Sequence, residues 1–256
     1  MAPVLTFIDS VKNKDPDRYR AALFADAGAR GRLLTLYGFH AELAKIPEYV
    51  SEPMIGAIRY QWWREAIGEI YEGKPVRQHE VAAPLSAHIK TAAAPRAWID
   101  ALIDGRERDL DPRPFATIAA AIDYSAATSG QLMQIAARMA APKLHLSAQQ
   151  TDAILEAGTA WGLIGLARAF KYYQTGMLSG LEFTDITDAA RDAHARARDG
   201  LGKIPAEIMP ALAYGALVPK YLSKMSGGFK PLEAPVSYGP LAKQMRLMRA
   251  VLTARL

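Results

Sequence analysis

The hydrophobic residues of this chain recur at intervals of three and four, and proline and glycine interrupt the pattern at short distances. This period is typical of amphipathic α-helices, and no segment shows the alternation expected of a β-strand. Asp15 and Pro16 open one predicted helix, and a second runs over residues 29–46. Pro47 should end or kink the second helix, because proline lacks an amide N–H and clashes with the preceding turn. The pattern therefore predicts an all-α fold.

The middle of the chain also shows the spacing of amphipathic helices. A predicted helix after Pro53 places five apolar residues on one face, namely Ile55, Ile58, Trp62, Ala66 and Ile70. Residues 115–139 are predicted to form one long helix, and the small residues of its segment 125–130 would let another helix approach closely. Ser147 and Gln150 match a capping box, in which each side chain accepts a hydrogen bond from the backbone of the other residue. This box predicts the start of the next helix.

The last predicted helix, residues 241–256, is both amphipathic and basic. It follows an apolar stretch (204–225) and a loop rich in glycine and proline (226–240). One side of it carries Leu241, Met245, Met248 and Leu252, and another carries Lys243, Arg246 and Arg249. Such a helix can pack on the rest of the domain, or lie on an anionic membrane surface. We expect the remainder of the chain to fold without it.

Composition excludes several classes of site. The 256 residues, 50% of them hydrophobic and 22% charged, suit one globular domain spanning residues 1–256. There is no cysteine, which excludes disulfides, thiolate metal sites and a cysteine nucleophile. The five histidines form no His-x-x-x-His pair. The apolar stretch at residues 4–8 is too short for a signal peptide, and no apolar run is long enough to cross a bilayer.

The net charge of +5 suits an anionic surface, an acidic protein or a diphosphate. It is not accompanied by a nucleic-acid-binding motif or by interleaved aromatic residues, so we expect no nucleic acid partner.

Two segments keep the frame of a known pair of motifs. Residues 37–48 read YGFHAELAKIPE, and residues 162–173 read GLIGLARAFKYY. The first resembles the Tyr-Ala-Phe-Cys-Arg-x-Ala-Asp-Asp-x-x-Asp helix of the squalene/phytoene synthase family. The second resembles the family's Gln-x-x-Asn-x-x-Arg-Asp-x-x-Glu-Asp helix. The resemblance extends over about residues 15–225, and it implies the isoprenoid-synthase fold, an antiparallel helical bundle around a central cavity.

The acidic residues of both motifs are replaced in this chain. In the family's enzymes, carboxylates at these positions hold Mg²⁺, a hard ion that prefers carboxylate and phosphate oxygens and handles the charge of a diphosphate. The first motif positions are occupied by Ala44, Lys45 and Glu48. The second motif positions are occupied by Ala169, Tyr172 and Tyr173, with Gly162 and Gly165 at the Gln and Asn positions of the frame. The resemblance therefore implies a pseudoenzyme with no catalytic residue, no metal and no cofactor.

Five other residues are candidates for lining a residual cavity: Tyr37, Glu42, Arg106, Asp109 and Arg168. For Arg106 and Asp109 we favour the alternative that they form a buried salt bridge that fixes helix positions. We expect Trp62, Trp63 and Trp161 in the core, where tryptophan at helical spacing usually lies. We expect the rings of Tyr172 and Tyr173 to fill part of the space that a diphosphate and its metal ions would take.

The residues around these motifs resemble one branch of the family, which includes the mitochondrial respiratory complex I assembly factor and its proteobacterial relatives. The resemblance implies a non-catalytic assembly factor for NADH:ubiquinone oxidoreductase, with protein partners of complex I assembly and weak contact with a membrane surface. In a bacterium it would be cytoplasmic or peripheral at the inner membrane, and in a mitochondrion it would lie on the matrix side. Two alternatives are a prenyl-diphosphate transferase of isoprenoid biosynthesis with an atypical Mg²⁺ site, and an isoprenoid- or lipid-binding module.

Overall fold

All regular structure is helical in the part of the chain described by the computed structural model, residues 6–233 and 236–256. These ranges contain fourteen α-helices: α1 (Thr6–Lys14), α2 (Pro16–Ala22), α3 (Ala27–Lys45), α4 (Pro53–Tyr71), α5 (Ala82–Ala92), α6 (Arg96–Glu107), α7 (Ile118–Ser125), α8 (Gln131–Ala140), α9 (Ala148–Arg168), α10 (Phe170–Tyr173), α11 (Phe183–Leu201), α12 (Met209–Leu212), α13 (Val218–Lys224) and α14 (Pro240–Thr253). Short 3-10 turns cover Ile46–Tyr49, Arg108–Leu110 and Ala213–Leu217, and Ala126–Gly130 is a π-helical segment. Parts of two predicted segments, the apolar stretch at 4–8 and the loop at 226–240, lie outside the described residues.

Local signals placed several helix ends correctly. The Asp15 carboxylate accepts a hydrogen bond from the first turn of α2, with a distance of 3.3 Å between donor and acceptor. Ser147 and Gln150 form both hydrogen bonds of the predicted capping box, at 3.2 and 3.0 Å. Helix α3 ends at Lys45, and Pro47 lies in the 3-10 turn that follows. These predictions are confirmed because caps and prolines act through the backbone next to them.

The predicted long helix at 115–139 is interrupted. It consists of α7, the π-helical segment and α8, and the segment packs against α9. A Cβ atom on Gly158 of α9 would lie 2.5 Å from the Ser129 carbonyl oxygen. The close helix approach that the small residues predicted is therefore confirmed, whereas the prediction of one unbroken helix is wrong.

Helix α4 buries only the later part of the predicted face, where Ala66 and Ile70 are each 2% exposed. Ile55 and Ile58 are 43% and 64% exposed, while Tyr60 and Ile67 are fully buried. The period of three and four predicted the helix itself, but residues on two adjacent faces of α4 are apolar. The packing partners decide which of these faces is buried, and a one-dimensional pattern does not contain them.

One continuous hydrophobic core joins residues from α1 through α14. Within it, α9 and α11 pack along each other. The stretch at 204–225, predicted as apolar, contributes α12, a 3-10 turn and α13 to this core. Among the described residues, no helix is long and apolar enough to cross a membrane.

Helix α14 docks on the domain through the side that carries Lys243. The Lys243 ammonium lies 2.8 Å from the Asp17 carboxylate, and both groups are buried. Leu247 and Ala250 are buried on the same side, and the Arg246 guanidinium donates a hydrogen bond of 2.9 Å to a backbone carbonyl of the 3-10 turn Ala213–Leu217. Because its removal would expose the core surface that Leu247 and Ala250 cover and would remove the cation paired with Asp17, we no longer expect the domain to fold unchanged without α14.

Candidate functional site

The first motif positions lie at the end of α3, where they form ion pairs. The Lys45 ammonium is 2.6 Å from the Glu42 carboxylate, one turn earlier on the same helix. Glu48 lies in the 3-10 turn, with its side chain 58% exposed and 3.6 Å from the Lys14 ammonium. Ala44 contributes no polar atom. The arrangement therefore neutralises the carboxylates near these positions with lysines.

The second motif positions lie beyond a break in the helix. Helix α9 ends at Arg168, and Ala169 has φ −94° and ψ 4°, outside helical geometry, before α10 begins. Tyr172 and Tyr173 are 71% and 45% exposed. The expectation that their rings fill a diphosphate space is wrong, because both side chains are exposed to solvent.

The two glycines of the second frame have different surroundings. A Cβ atom on Gly162 would lie 2.9 Å from the Ser125 Cβ atom, so α9 and the end of α7 are in close contact there. A Cβ atom on Gly165 would meet no described atom within 4 Å. Close packing therefore explains the small residue at position 162, and nothing in the structure explains the one at position 165.

Arg106 and Asp109 belong to a polar network that joins three helices. The Arg106 guanidinium lies 2.7 Å from His40 Nε2 on α3 and donates hydrogen bonds of 3.0 Å to Asp109 and 3.1 Å to the Tyr124 hydroxyl on α7. The Tyr124 hydroxyl in turn donates to Asp109 at 2.6 Å. These contacts agree with the interpretation that Arg106 and Asp109 form a salt bridge that fixes helix positions.

Burial sets the protonation states of this network. Burial, followed by the charges of Arg106 and Arg18, lowers the pKa of His40 well below its usual value, so the imidazole is neutral and accepts from Arg106. Burial works against the charge of Arg106, but the neighbouring Tyr124 and Asp109 raise its pKa overall. Because Asp109 is fully engaged with Arg106 and Tyr124, its oxygens are poorly placed to hold a metal ion.

A second buried polar group was not identified from the sequence. Arg18 of α2 is 5% exposed and pairs with Asp15 at 2.6 Å, while its guanidinium carbon lies 4.9 Å from the centre of the Tyr214 ring. It also donates to the Ser129 hydroxyl at 3.3 Å. This arrangement was not predictable from the sequence, because a single arginine in a short amphipathic helix usually faces solvent.

Glu42 lines an open pocket of about 400 Å³ on the outside of α3 and α4. Lys45, Trp62, Trp63 and His79 also line it. The two tryptophan rings meet edge to face, with centroids 4.9 Å apart. Trp63 is buried as predicted, and Trp62 is partly buried, packs against the core and also forms part of the pocket wall.

The remaining candidates lie in different surroundings. Tyr37 is buried, and its hydroxyl has no hydrogen-bond partner among the described residues. The guanidinium carbon of Arg168 lies 4.9 Å from the centre of the Tyr221 ring. Trp161 is buried against Tyr214 and Tyr221, as expected of a core residue. The five cavity-lining candidates are therefore distributed among a surface pocket, the Arg106 network and the buried aromatic region.

Comparison with known proteins identifies the family. The model of the squalene/phytoene synthase family matches residues 11–175, which is more than half of the chain. The chain belongs to the squalene/phytoene synthase family. Two solved structures support the corresponding fold. A squalene synthase from Alicyclobacillus acidocaldarius matches with a TM-score of 0.71 and 13% identity, covering 87% of this chain and 92% of that one. A dehydrosqualene synthase matches with a TM-score of 0.70 and 13% identity, covering 97% and 95%.

Curated proteins that resemble this chain are named for complex I. The protein "NADH dehydrogenase (ubiquinone) complex I, assembly factor 6" of Bos taurus is 26% identical in an alignment of length 245, and the match covers 85% of this chain and 72% of the relative. The protein of the same name from Homo sapiens is 28% identical over 167 residues, which cover 65% and 49%.

The Mg²⁺ ions of the family's enzymes do not fit the residues found here. Ala44 and Ala169 offer no ligand atom, Lys45 brings a positive charge, and Tyr172 and Tyr173 are exposed beyond the end of α9. The described part of the chain contains no group of three or more histidine, aspartate or glutamate side chains that could hold a metal ion. A cluster of hard cations would find too few carboxylates at the motif positions.

Proposed function

We propose that this protein is a non-catalytic assembly factor for respiratory complex I. The observation that carries the proposal is the loss of the acidic metal ligands at the motif positions. Lys45, paired with Glu42, and the exposed Tyr172 and Tyr173 lie where the family's enzymes have acidic residues. The relatives that cover 85% of the chain and bear the name of a complex I assembly factor support the same function. The isoprenoid-synthase fold then serves as a scaffold for protein contacts.

The proposal extends to partners and place. The partners are proteins of complex I assembly, and the protein acts at the inner membrane as a peripheral protein, on the cytoplasmic side in a bacterium or the matrix side in a mitochondrion. It needs neither Mg²⁺ nor another cofactor for this function.

Deletion of the gene in its native cell tests the assembly function. We expect fully assembled complex I, measured by native gel electrophoresis and NADH:ubiquinone activity, to fall, and the wild-type gene to restore it. The matched variant is Glu48→Gln, which removes the one carboxylate left at the motif positions. It should restore complex I as well as the wild type does. Unchanged complex I after deletion would contradict the assembly function, and failure of Glu48→Gln alone would indicate that this carboxylate has a function.

An enzymatic assay tests the absence of catalysis separately. Purified protein incubated with farnesyl or geranylgeranyl diphosphate and Mg²⁺ should release no more pyrophosphate than a protein-free control, with a dehydrosqualene synthase run in parallel. Turnover that stops when a metal chelator is added would support the alternative of a prenyl transferase with an atypical metal site.

A further inference from the structure

Helix α14 presents an apolar stripe to solvent. The stripe consists of Leu241, Met245, Met248 and Leu252, which are 74%, 60%, 47% and 80% exposed. The spacing of four, three and four residues aligns them along one side of the helix. That side is opposite to the one that Lys243, Leu247 and Ala250 bury against the domain. The sequence therefore makes α14 apolar on the outward face, where apolar surface usually marks an interaction site.

An arginine pocket lies on the flank of this helix. It is open, has a volume of about 670 Å³, and is lined by Arg198 of α11, Arg246 and Arg249 of α14, and Arg255, with Ala216 and Ala250 in its wall. Arg249 directly follows Met248 of the stripe along the helix, so the pocket and the stripe are adjacent surfaces.

The arginines of the pocket are not paired with acidic side chains of the described residues. Arg246 donates to the Ala216 carbonyl, and Arg198, Arg249 and Arg255 form no ion pair within the described ranges. Asp199 lines the neighbouring pocket without pairing to any of them. Burial, followed by the charges of Arg249 and Arg198, lowers the pKa of Arg246, which agrees with a close approach of these cations. Helix α14 itself contains no acidic residue.

We propose that the stripe and the arginine pocket together dock the protein on a bilayer that contains anionic phospholipid. A headgroup phosphate enters the pocket, where guanidinium groups can bind it with paired hydrogen bonds, and the stripe side chains insert among the acyl chains. A lipid surface is the occupant that fits, because it offers phosphate and hydrocarbon side by side, as the two surfaces of α14 require. The inference rests on the proposed place at the inner membrane, but not on the assembly function.

Vesicle flotation of the full chain tests both halves of the surface. The vesicles consist of phosphatidylcholine alone or mixed with phosphatidylglycerol. The variant Arg249→Gln/Arg255→Gln weakens the pocket, and Met245→Gln/Met248→Gln weakens the stripe. Their matched controls are Lys74→Gln/Lys90→Gln, which remove two exposed cations beside α4 and on α5, and Met54→Gln/Ile58→Gln, which remove two exposed apolar side chains on α4. Point substitutions are used because deletion of α14 would also remove the buried Lys243–Asp17 pair.

The wild type and both controls should bind vesicles that contain phosphatidylglycerol and should bind much less to phosphatidylcholine alone. At about fivefold per arginine, the pocket variant should lose on the order of thirtyfold in affinity, and added salt should weaken the wild type. The stripe variant should lose about tenfold or more, because two apolar side chains no longer leave water. Equal binding to both kinds of vesicle, or binding by either α14 variant as strong as wild type, would overturn the proposal.

A spin label reports insertion directly. The chain has no cysteine, so Met248→Cys and Met54→Cys each provide a unique labelling site. On anionic vesicles the label at 248 should become accessible to oxygen and shielded from a water-soluble nickel complex, while the label at 54 stays in water. A label at 248 that stays in water overturns insertion.

Binding of inorganic phosphate distinguishes a lipid site from a site for a free anion, and complex I assembly distinguishes failure of the docking from failure of the assembly function. If inorganic phosphate binds in isothermal calorimetry while anionic vesicles do not, the pocket is a site for a free anion and lipid docking is wrong. A protein that restores complex I assembly but ignores anionic vesicles overturns only the docking, and one that binds vesicles without affecting complex I overturns only the assembly function.

Discussion

At the scale of single residues, the ion pair between Lys243 and Asp17 is the most deeply buried one in the described part of the chain. The two side chains are 9% and 4% exposed, and the Lys243 ammonium also lies 5.6 Å from the centre of the Tyr221 ring. Asp17 has one other cation nearby, Arg20 at 3.5 Å. A buried charge that loses its partner keeps its desolvation cost, so the pair makes the docking of α14 sensitive to either residue.

Replacing Lys243 with methionine tests this dependence. Lys243→Met keeps the length of the side chain but leaves the Asp17 charge with Arg20 alone, and we expect it to lower the free energy of unfolding by about 3 kcal/mol in urea titrations. The double variant Asp17→Asn/Lys243→Met should recover much of this loss. Lys230→Met, which breaks the exposed pair between Lys230 and Glu233, is the control and should leave stability nearly unchanged. A Lys243→Met protein as stable as the control would show that the pair contributes little.

At the scale of elements, the backbones of α9 and the π-helical segment are in close contact just before the second motif. Gly158 faces the Ser129 carbonyl at a distance that leaves no space for a Cβ atom, and Gly162 faces the Ser125 side chain. Gly165, one turn further along α9, faces open space. Glycine lowers helix stability, so its presence at 158 is explained by the packing it permits.

Two alanine substitutions distinguish these glycines. Gly158→Ala should lower the free energy of unfolding by about 1–3 kcal/mol, because the added methyl group overpacks the contact. Gly165→Ala, on the same helix, should raise it by up to about 1 kcal/mol, because alanine favours the helix more than glycine does. Urea titrations of both proteins, with circular dichroism to follow helix content, give the comparison. A Gly158→Ala protein at least as stable as the wild type would show that the close contact at Gly158 does not limit packing, and a destabilised Gly165→Ala protein would contradict the prediction for position 165.

The same elements show what the sequence could and could not predict. Caps and prolines act locally, so the ends of α2, α3 and α9 were predictable, and the small residues at 125–130 predicted a close helix contact. The outward faces of α4 and α14 were not predictable, because the choice among apolar faces depends on the elements that pack against them. Matching the motif frame located the second motif, but it could not show that Tyr172 and Tyr173 lie beyond the end of α9 with their side chains exposed.

At the scale of the whole molecule, the fold is maintained at 13% identity to the solved synthases while the motif positions have changed. Several polar residues near those positions pair with other residues of the chain. Lys45 pairs with Glu42, and Arg106 ties α3 to α6 and α7 through His40 and Tyr124. A site that held metal ions would have to leave carboxylates unpaired, whereas these contacts stabilise the domain.

Two buried histidines also make the stability of the whole domain depend on pH. Burial, Arg106 and Arg18 lower the pKa of His40 well below its usual value. Burial, Arg198 and Arg246 lower the pKa of His194 to about 4, and neither ring nitrogen of His194 has a hydrogen-bond partner among the described residues. An unfolded histidine has a pKa of about 6.5, so below that pH the unfolded state takes up protons that the native state does not. The native state is therefore most stable, with respect to these histidines, above pH ~6.5, and this part of its stability is lost as the pH falls towards ~4.

Substitution of His194 should remove its share of this loss. Between about pH 7.5 and pH 5, protonation of the unfolded His194 should cost the wild type about 2 kcal/mol in the free energy of unfolding. In His194→Gln, the difference between the two pH values should shrink by that amount, whatever the substitution costs at neutral pH. His145, which is exposed, provides the matched control, and His145→Gln should keep the full difference. The measurement is urea unfolding at both pH values. A His194→Gln protein that loses as much stability as the wild type would show that His194 is protonated in the native state at pH 5.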